Sequence, residues 1–466
     1  MSRHFGRMRA LALPAPGIVS LPASPWWCGW LLAALCGVLA TSGGCVTIGA
    51  YETPLRNAVA DRRERKDATR TLSEPVAVFL ARYGLVDEAM EDPGAAARRL
   101  ETRLEVEPEP GGALALGELS YRAGLRREAE APVLALPWYR DAAACAALAL
   151  AEPVDAHSER AVEVHNLALK RLIRLSQDEG IRGDASWRTV LAEQGLTLES
   201  SASYLNPLQL ADLRLADDMK VDGMDNVYKA SGLGIPVVAL RRADPKVSTD
   251  PRDQFLPREL RTGATVVLRT TGGLRGRDWR RRPATLYFAD PFGEEALPFG
   301  SNGVRLASDR TTALADQVAQ VRLDKLEWMG LFQSSFKRPG VTTGLYMVRP
   351  YEPGKIPVVL VHGLFSSPRA YVQTINELTN TPVIASRYQF WVFLYPTGMP
   401  IPNSAAKLRE SLTRVREMLD PGHTDAAFDQ MVLVGHSMGG LLSKMMVQNS
   451  GLELWNSTIR IPYDQF

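Results

Sequence analysis

The run KIPVVLVHG, Lys355 to Gly363, constrains the fold more than any other stretch of this chain. Residues Ile356 to Val361 carry no polar side chain, whereas a strand with one wet face would alternate polar and apolar. Uninterrupted apolar strands are buried on both faces, as in parallel sheets flanked by helices. The surrounding sequence keeps that rhythm. GLYMVRPY reads as a strand, SPRAYVQTINELT as a helix, YQFWVFLYPTG as a strand and SAAKLRESLTRVREML as a helix. MVLVG then reads as another buried strand, followed by a helix from Ser437 to Asn449 that Gly451 is placed to end. Ala405, Leu408, Leu412, Val415 and Leu419 make one apolar helix face, with Ser404 placed to cap it. This alternation predicts an α/β fold with a doubly wound parallel sheet over residues 337–466.

The preceding sequence divides into segments of different character. In residues 1–45, Arg3, Arg7 and Arg9 precede the apolar run Trp26 to Ala40. That run has 15 residues, short of the roughly 20 a spanning helix needs, so it reads as a secretory signal. TSGGC resembles a bacterial lipobox, which would make Cys45 the lipidated residue and the membrane a partner through a lipid anchor. Ser42 departs from the aliphatic residue usual at its position. Residues 46–200 predict an α-helical domain of packed hairpins, which could hold a protein partner. Ala161, Val164, Ala168, Leu172 and Leu175 lie on one helix face, and the prolines of EVEPEPGG and LALPW are expected to break helices. No clean repeat period is present.

Residues 201–336 predict a β-rich module, from the runs IPVVAL, ATVVLR and ATLYFAD. A helix within ASDRTTALADQVAQVRL follows, capped by Ser308 or Asp309. The arginines of RGRDWRRRP, Arg275 to Pro283, read as a solvated loop. A net charge of +2 names no nucleic-acid partner. No His/Cys metal spacing, phosphate loop or dinucleotide fingerprint occurs, so neither metal nor organic cofactor is implied.

The chemistry concentrates in Gly435-His436-Ser437-Met438-Gly439, a G-x-S-x-G motif between an apolar strand and a helix. A serine on so sharp a turn has strained backbone angles and a hydroxyl that stands clear of the sheet. Gly435 and Gly439 pass close to adjacent backbone, where a Cβ would collide. An acyl-transfer intermediate needs backbone N–H donors for its oxyanion. The Met438 amide at the helix N-terminus supplies one. The loop after VVLV supplies the other, from Leu364, with Phe365 as the alternative.

PVVLVHGLFSSP and MVLVGHSMGG together resemble the oxyanion and nucleophile segments of the α/β-hydrolase superfamily, in its lipase and esterase branch. The resemblance covers Val341 to Phe466. It implies that Ser437 is the nucleophile and that the Leu364 and Met438 amides form the oxyanion hole. His362 and His436 are common in these motifs and neither is the base. The family's triad order is serine, acid, histidine. Glu453 and Asp464 lie among the 29 residues after Ser437, but no histidine does, and His423 reads as a loop residue. The chain is therefore expected to be the front part of a longer exported enzyme that cleaves carboxylic or lipid esters, and to be inactive and poorly soluble by itself. A lipoprotein scaffold with an inert α/β half is the alternative.

Overall fold

A computed structural model describes residues 48–465 apart from 153–157, 183–184, 243–250, 258, 271, 273, 275–282, 322–342 and 450. The signal-like run, Cys45, His157 and the arginine cluster at 275–282 lie outside the described residues.

The first half is a stack of helices, α1 (Pro54–Arg70), α2 (Glu74–Ala81), α3 (Val86–Glu91), α4 (Pro93–Val106), α5 (Gly112–Glu130), α6 (Pro132–Leu150), α7 (Ser158–Arg182) and α8 (Trp187–Glu193). Asp92 caps α4 by accepting the Gly94 and Ala95 N–H groups, each at 3.0 Å. Small residues let α5 and α6 approach closely. A Cβ on Gly124 would lie 2.7 Å from the Tyr139 ring, so only glycine fits there. The expected apolar face of α7 is buried from Ala161 to Leu175. EVEPEPGG does separate α4 from α5, but LALPW does not break a helix: Pro137 lies inside α6. Its missing N–H would have bonded the carbonyl of Val133, a half-exposed residue at the helix start, where water can serve instead. By length and composition α6 could cross a bilayer, yet 78% of it is buried inside the protein, as befits the centre of a helical layer.

The middle of the chain is built on strands. β1 (Gly49–Glu52) pairs with β4 (Met219–Asp222). A five-stranded sheet has the order β2 (Leu196–Ser200), β8 (Ala284–Ala289), β7 (Glu259–Thr270), β6 (Ile235–Arg242), β3 (Leu210–Leu215). All its pairs are antiparallel except β2 with β8. β5 (Lys229–Ala230) pairs with β11 (Ser308–Asp309), and β9 (Ala296–Phe299) with β10 (Asn302–Arg305). Composition places a division at residue 200, but the structure runs one hydrophobic core across it, from Val76 through the helices to Leu306. His165 of α7 shows the join: its buried Nε2 accepts the Leu268 N–H of β7 at 3.1 Å. α9 (Thr312–Val321) follows, and Asp309 receives the Thr312 N–H at 2.8 Å as the sequence leads one to expect.

The C-terminal sheet has the order β12 (Gly344–Met347), β14 (Tyr388–Leu394), β13 (Ile356–Val361), β15 (Val432–Gly435). β13 runs parallel to both neighbours, while β12 is antiparallel to β14, so the sheet is mixed rather than wholly parallel. Every residue of β13 is buried, as its apolar run requires. Alternate side chains go to opposite faces. Val359, Val361, Trp391 and Phe393 pack under α11 (Ile401–Leu419) and α12 (Met438–Val447). Val358, Leu360 and Phe390 pack with Ile375 of α10 (Val372–Thr379) on the other face. The chain is thus a mixed α/β protein.

Three local expectations change. α11 begins at Ile401 with Pro402 in its first turn, so Ser404 is an interior residue with a buried, unbonded hydroxyl, not the cap. α12 ends at Val447, and Gly451 takes its left-handed conformation in the turn beyond. β15 is a half-exposed edge strand, with Val434 at 41% exposure, because it pairs only with β13.

Candidate active site

The site follows from where the chain changes direction. From β13 it passes through α10 to β14 on one side, then through α11 to β15 on the other side of β13. The loops leaving the carboxyl ends of β13 and β15 therefore open beside each other, and crevices at such switch points are where α/β sheets bind ligands. Those two loops are the two motif segments.

Ser437 stands between β15 and α12 at φ 52°, ψ −121°. A non-glycine residue at positive φ is sterically unfavourable, and such a conformation persists only where its surroundings hold it. Here they do. The His436 N–H bonds Val361 O at 3.1 Å, and the Gly439 N–H bonds His436 O at 2.9 Å. The Tyr371 hydroxyl donates to Val361 O at 3.0 Å, pinning the end of β13 from the opposite face. Gly435 and Gly439 are as crowded as the motif demands. A Cβ on Gly439 would lie 2.0 Å from Val361 O, and one on Gly435 would lie 2.4 Å from Gly439 O. The Ser437 side chain is exposed and makes no capping bond to its own helix. Ser437→Gly removes the strain, at the cost of a freer unfolded chain. We expect it to raise unfolding stability by about 1 kcal/mol in urea denaturation; a loss of stability would mean the turn is relaxed.

The loop after β13 lies against the serine. A Cβ on Gly363 would come within 3.0 Å of Ser437 Cβ, His436 O and His436 Nδ1. Leu364 and Phe365 follow, both half exposed, with Phe365 at φ 54°. Among the described residues, neither the Leu364 nor the Met438 N–H donates to a backbone carbonyl. The Met438 amide is the first of α12, where the helix dipole adds positive potential. An exposed alcohol and two unengaged amides are thus brought together at one loop junction.

Among the described residues no histidine hydrogen-bonds that alcohol. His362 is buried, with Nδ1 3.1 Å from Gly363 O and its ring stacked on Tyr395 at 4.4 Å. The Tyr395 hydroxyl in turn donates to His362 O at 2.7 Å. Burial holds His362 neutral, lowering its pKa from 6.5 to about 4. His423 sits at φ 51° in the turn before β15, at the opposite end of that strand from Ser437. His436 is exposed on the elbow beside Gly363. Glu453 heads a short helix, Glu453–Thr458, and Asp464 lies in the final turn. Tyr371 and Tyr395 support the site without being singled out in the sequence. Tyr395 was legible, since it lies two residues beyond Phe393 and so shares its face.

His362 carries a pH consequence. Above pH 6.5 it is neutral in both folded and unfolded chains and has no effect. Between 6.5 and about 4 the unfolded chain takes a proton that the folded one refuses, so stability falls as pH falls. The expected loss from pH 7 to 5 is about 2 kcal/mol. His165, whose pKa burial also lowers, acts in the same direction. Urea denaturation at the two pH values should show a smaller difference for His362→Asn than for wild type; an equal difference would refute the assignment.

No protein-family model matches the chain, and neither a curated protein nor a solved structure is similar to it.

Proposed function

We propose that this chain carries the nucleophile elbow and oxyanion loop of a serine hydrolase of the α/β-hydrolase type, acting on carboxylic esters, lipid esters included. The observation that carries the reading is the strained backbone of Ser437, maintained by glycines on both sides. In the reaction the Ser437 hydroxyl oxygen attacks the ester carbonyl and gives up its proton to a general base. The oxyanion is met by the Met438 and Leu364 N–H groups. The alcohol leaves with a proton, and water then cleaves the acyl-serine to the carboxylic acid. The reading includes a base and an acid supplied from outside the described residues. Fluorophosphonate labelling of the native protein in its cell envelope, followed by peptide mapping, tests this reading. An adduct on Ser437 supports it. An unmodified Ser437, while other envelope serine hydrolases are labelled, overturns it in favour of a scaffold. That second reading draws on one observation: the Ser437 side chain has no hydrogen-bonded base among the described residues.

The reading also places the protein in the bacterial envelope, anchored through Cys45. Cells fed an alkynyl fatty acid should label the wild-type protein and not Cys45→Ser; label persisting in the variant would remove the anchor.

A further inference from the structure

Between the middle sheet and the α10 face of the C-terminal sheet lies a cavity of about 670 Å³, distinct from the Ser437 junction. Its apolar wall comes from both halves of the protein: Leu314 and Val318 of α9, Val372 and Ile375 of α10, and Val392 and Leu394 of β14. Val318, Val372, Ile375 and Leu394 line it and are each less than a tenth exposed. Cavities of some 300–1,000 Å³ at domain junctions, apolar with a few polar groups, are what ligands of moderate size occupy. Apolar cavities take up apolar ligands because water gains no hydrogen bonds there.

The charges at the cavity fix the ligand's other end. Glu259 is matched by Arg242 at 3.3 Å, and Asp309 by Lys229 at 3.0 Å. Arg349 is paired with Asp290 at 2.6 Å. Arg261 also lines the cavity, with its side chain 9% exposed. Its Nε meets Asp316 at 2.9 Å, and among the described residues its two Nη atoms have no hydrogen-bond partner. Arg310 uses Nε on Pro291 O at 2.7 Å and, among the described residues, has no carboxylate partner. Two guanidinium groups thus present free donors to a space with otherwise satisfied carboxylates. Guanidinium matches a carboxylate in shape and charge.

We propose that this cavity binds a long-chain carboxylate, with its headgroup on Arg261 and Arg310 and its tail between α9, α10 and β14. The site does not depend on the hydrolase reading. It is tested on the full chain by titrating oleate, enriched in ¹³C at the carboxyl carbon, and following that resonance. The expected result is saturable binding of one oleate per chain, unchanged in Ser437→Ala. Arg310→Met should weaken it by about tenfold, the effect of one charge-assisted hydrogen bond. Ile375→Trp and Leu314→Phe, which fill the space from two different elements, should reduce it further, with circular dichroism confirming that each variant folds. Oleyl alcohol should bind more weakly than oleate to wild type and equally to wild type and Arg310→Met. No saturable binding to the folded wild type would overturn the proposal. So would binding that ignores both Arg310→Met and the filling variants.

Discussion

Gly439→Ala is expected to destabilise the C-terminal sheet by about 3 kcal/mol or more, while Gly440→Ala, one residue on, is harmless. The difference lies in what each new methyl would meet. At Gly439 it would be 2.0 Å from Val361 O, 2.6 Å from His362 O and 2.7 Å from Val361 C. All three are backbone atoms at the end of β13, the strand paired on both sides and buried along its whole length. Such a contact cannot be relieved by a rotamer change; the elbow or the central strand must move. At Gly440 the nearest atom is Gly435 O at 3.4 Å, and the position is inside α12, where alanine improves helix propensity by up to about 1 kcal/mol. Urea unfolding followed through near-ultraviolet circular dichroism checks both, since buried Trp391 lies in the affected core. Equal effects of the two substitutions would show that the serine turn is not seated on β13.

That contrast shows what was legible in the sequence. Period and burial carry information along a single strand or helix, so β13, β14 and α11 could be read within a few residues, and the buried face of α7 could be read as well. The motif glycines were legible because a missing Cβ reports a close approach. Information held in pairing was not. Whether β15 is central or at the edge depends on which strands flank it, and MVLVG reads alike in both cases. The antiparallel direction of β12 left no mark on GLYMVRPY. Ser404 looked like a cap because serine usually is one, but a proline-led start three residues earlier was compatible with the same apolar face. Pro137 is tolerated inside α6 because a proline's cost depends on whether the orphaned carbonyl reaches water, which is a fact about surroundings. The shared core of helices and sheet was hidden for the same reason: composition changes at residue 200, but packing does not.

Kinetics provides the other large effect. The isolated 466-residue chain should release p-nitrophenol from a short ester at a rate that Ser437→Ala leaves unchanged. A serine hydroxyl is almost wholly protonated at neutral pH, so its attack needs a base to take the proton as the bond forms. His362 is the histidine closest in sequence to the oxyanion loop, yet burial keeps its ring under Tyr395 and its Nδ1 engaged with Gly363 O. His423 lies beyond the wrong end of β15. The carboxylate Asp420 is committed to Arg416 at 3.0 Å and to the Thr424 N–H at 2.8 Å. Among the described residues no base, the neighbouring His436 included, hydrogen-bonds Ser437, so the site offers a pair of amide donors, able to stabilise an oxyanion once formed but not to generate the alkoxide. Loss of a working triad costs about 10⁶-fold in turnover where it has been dissected, leaving a residue of catalysis from binding and the oxyanion hole. Steady-state assays of wild type and Ser437→Ala side by side decide the matter. Repeated turnover that disappears in the variant would mean that a base does reach Ser437 within this chain, and the picture of an elbow awaiting its partners would have to be abandoned.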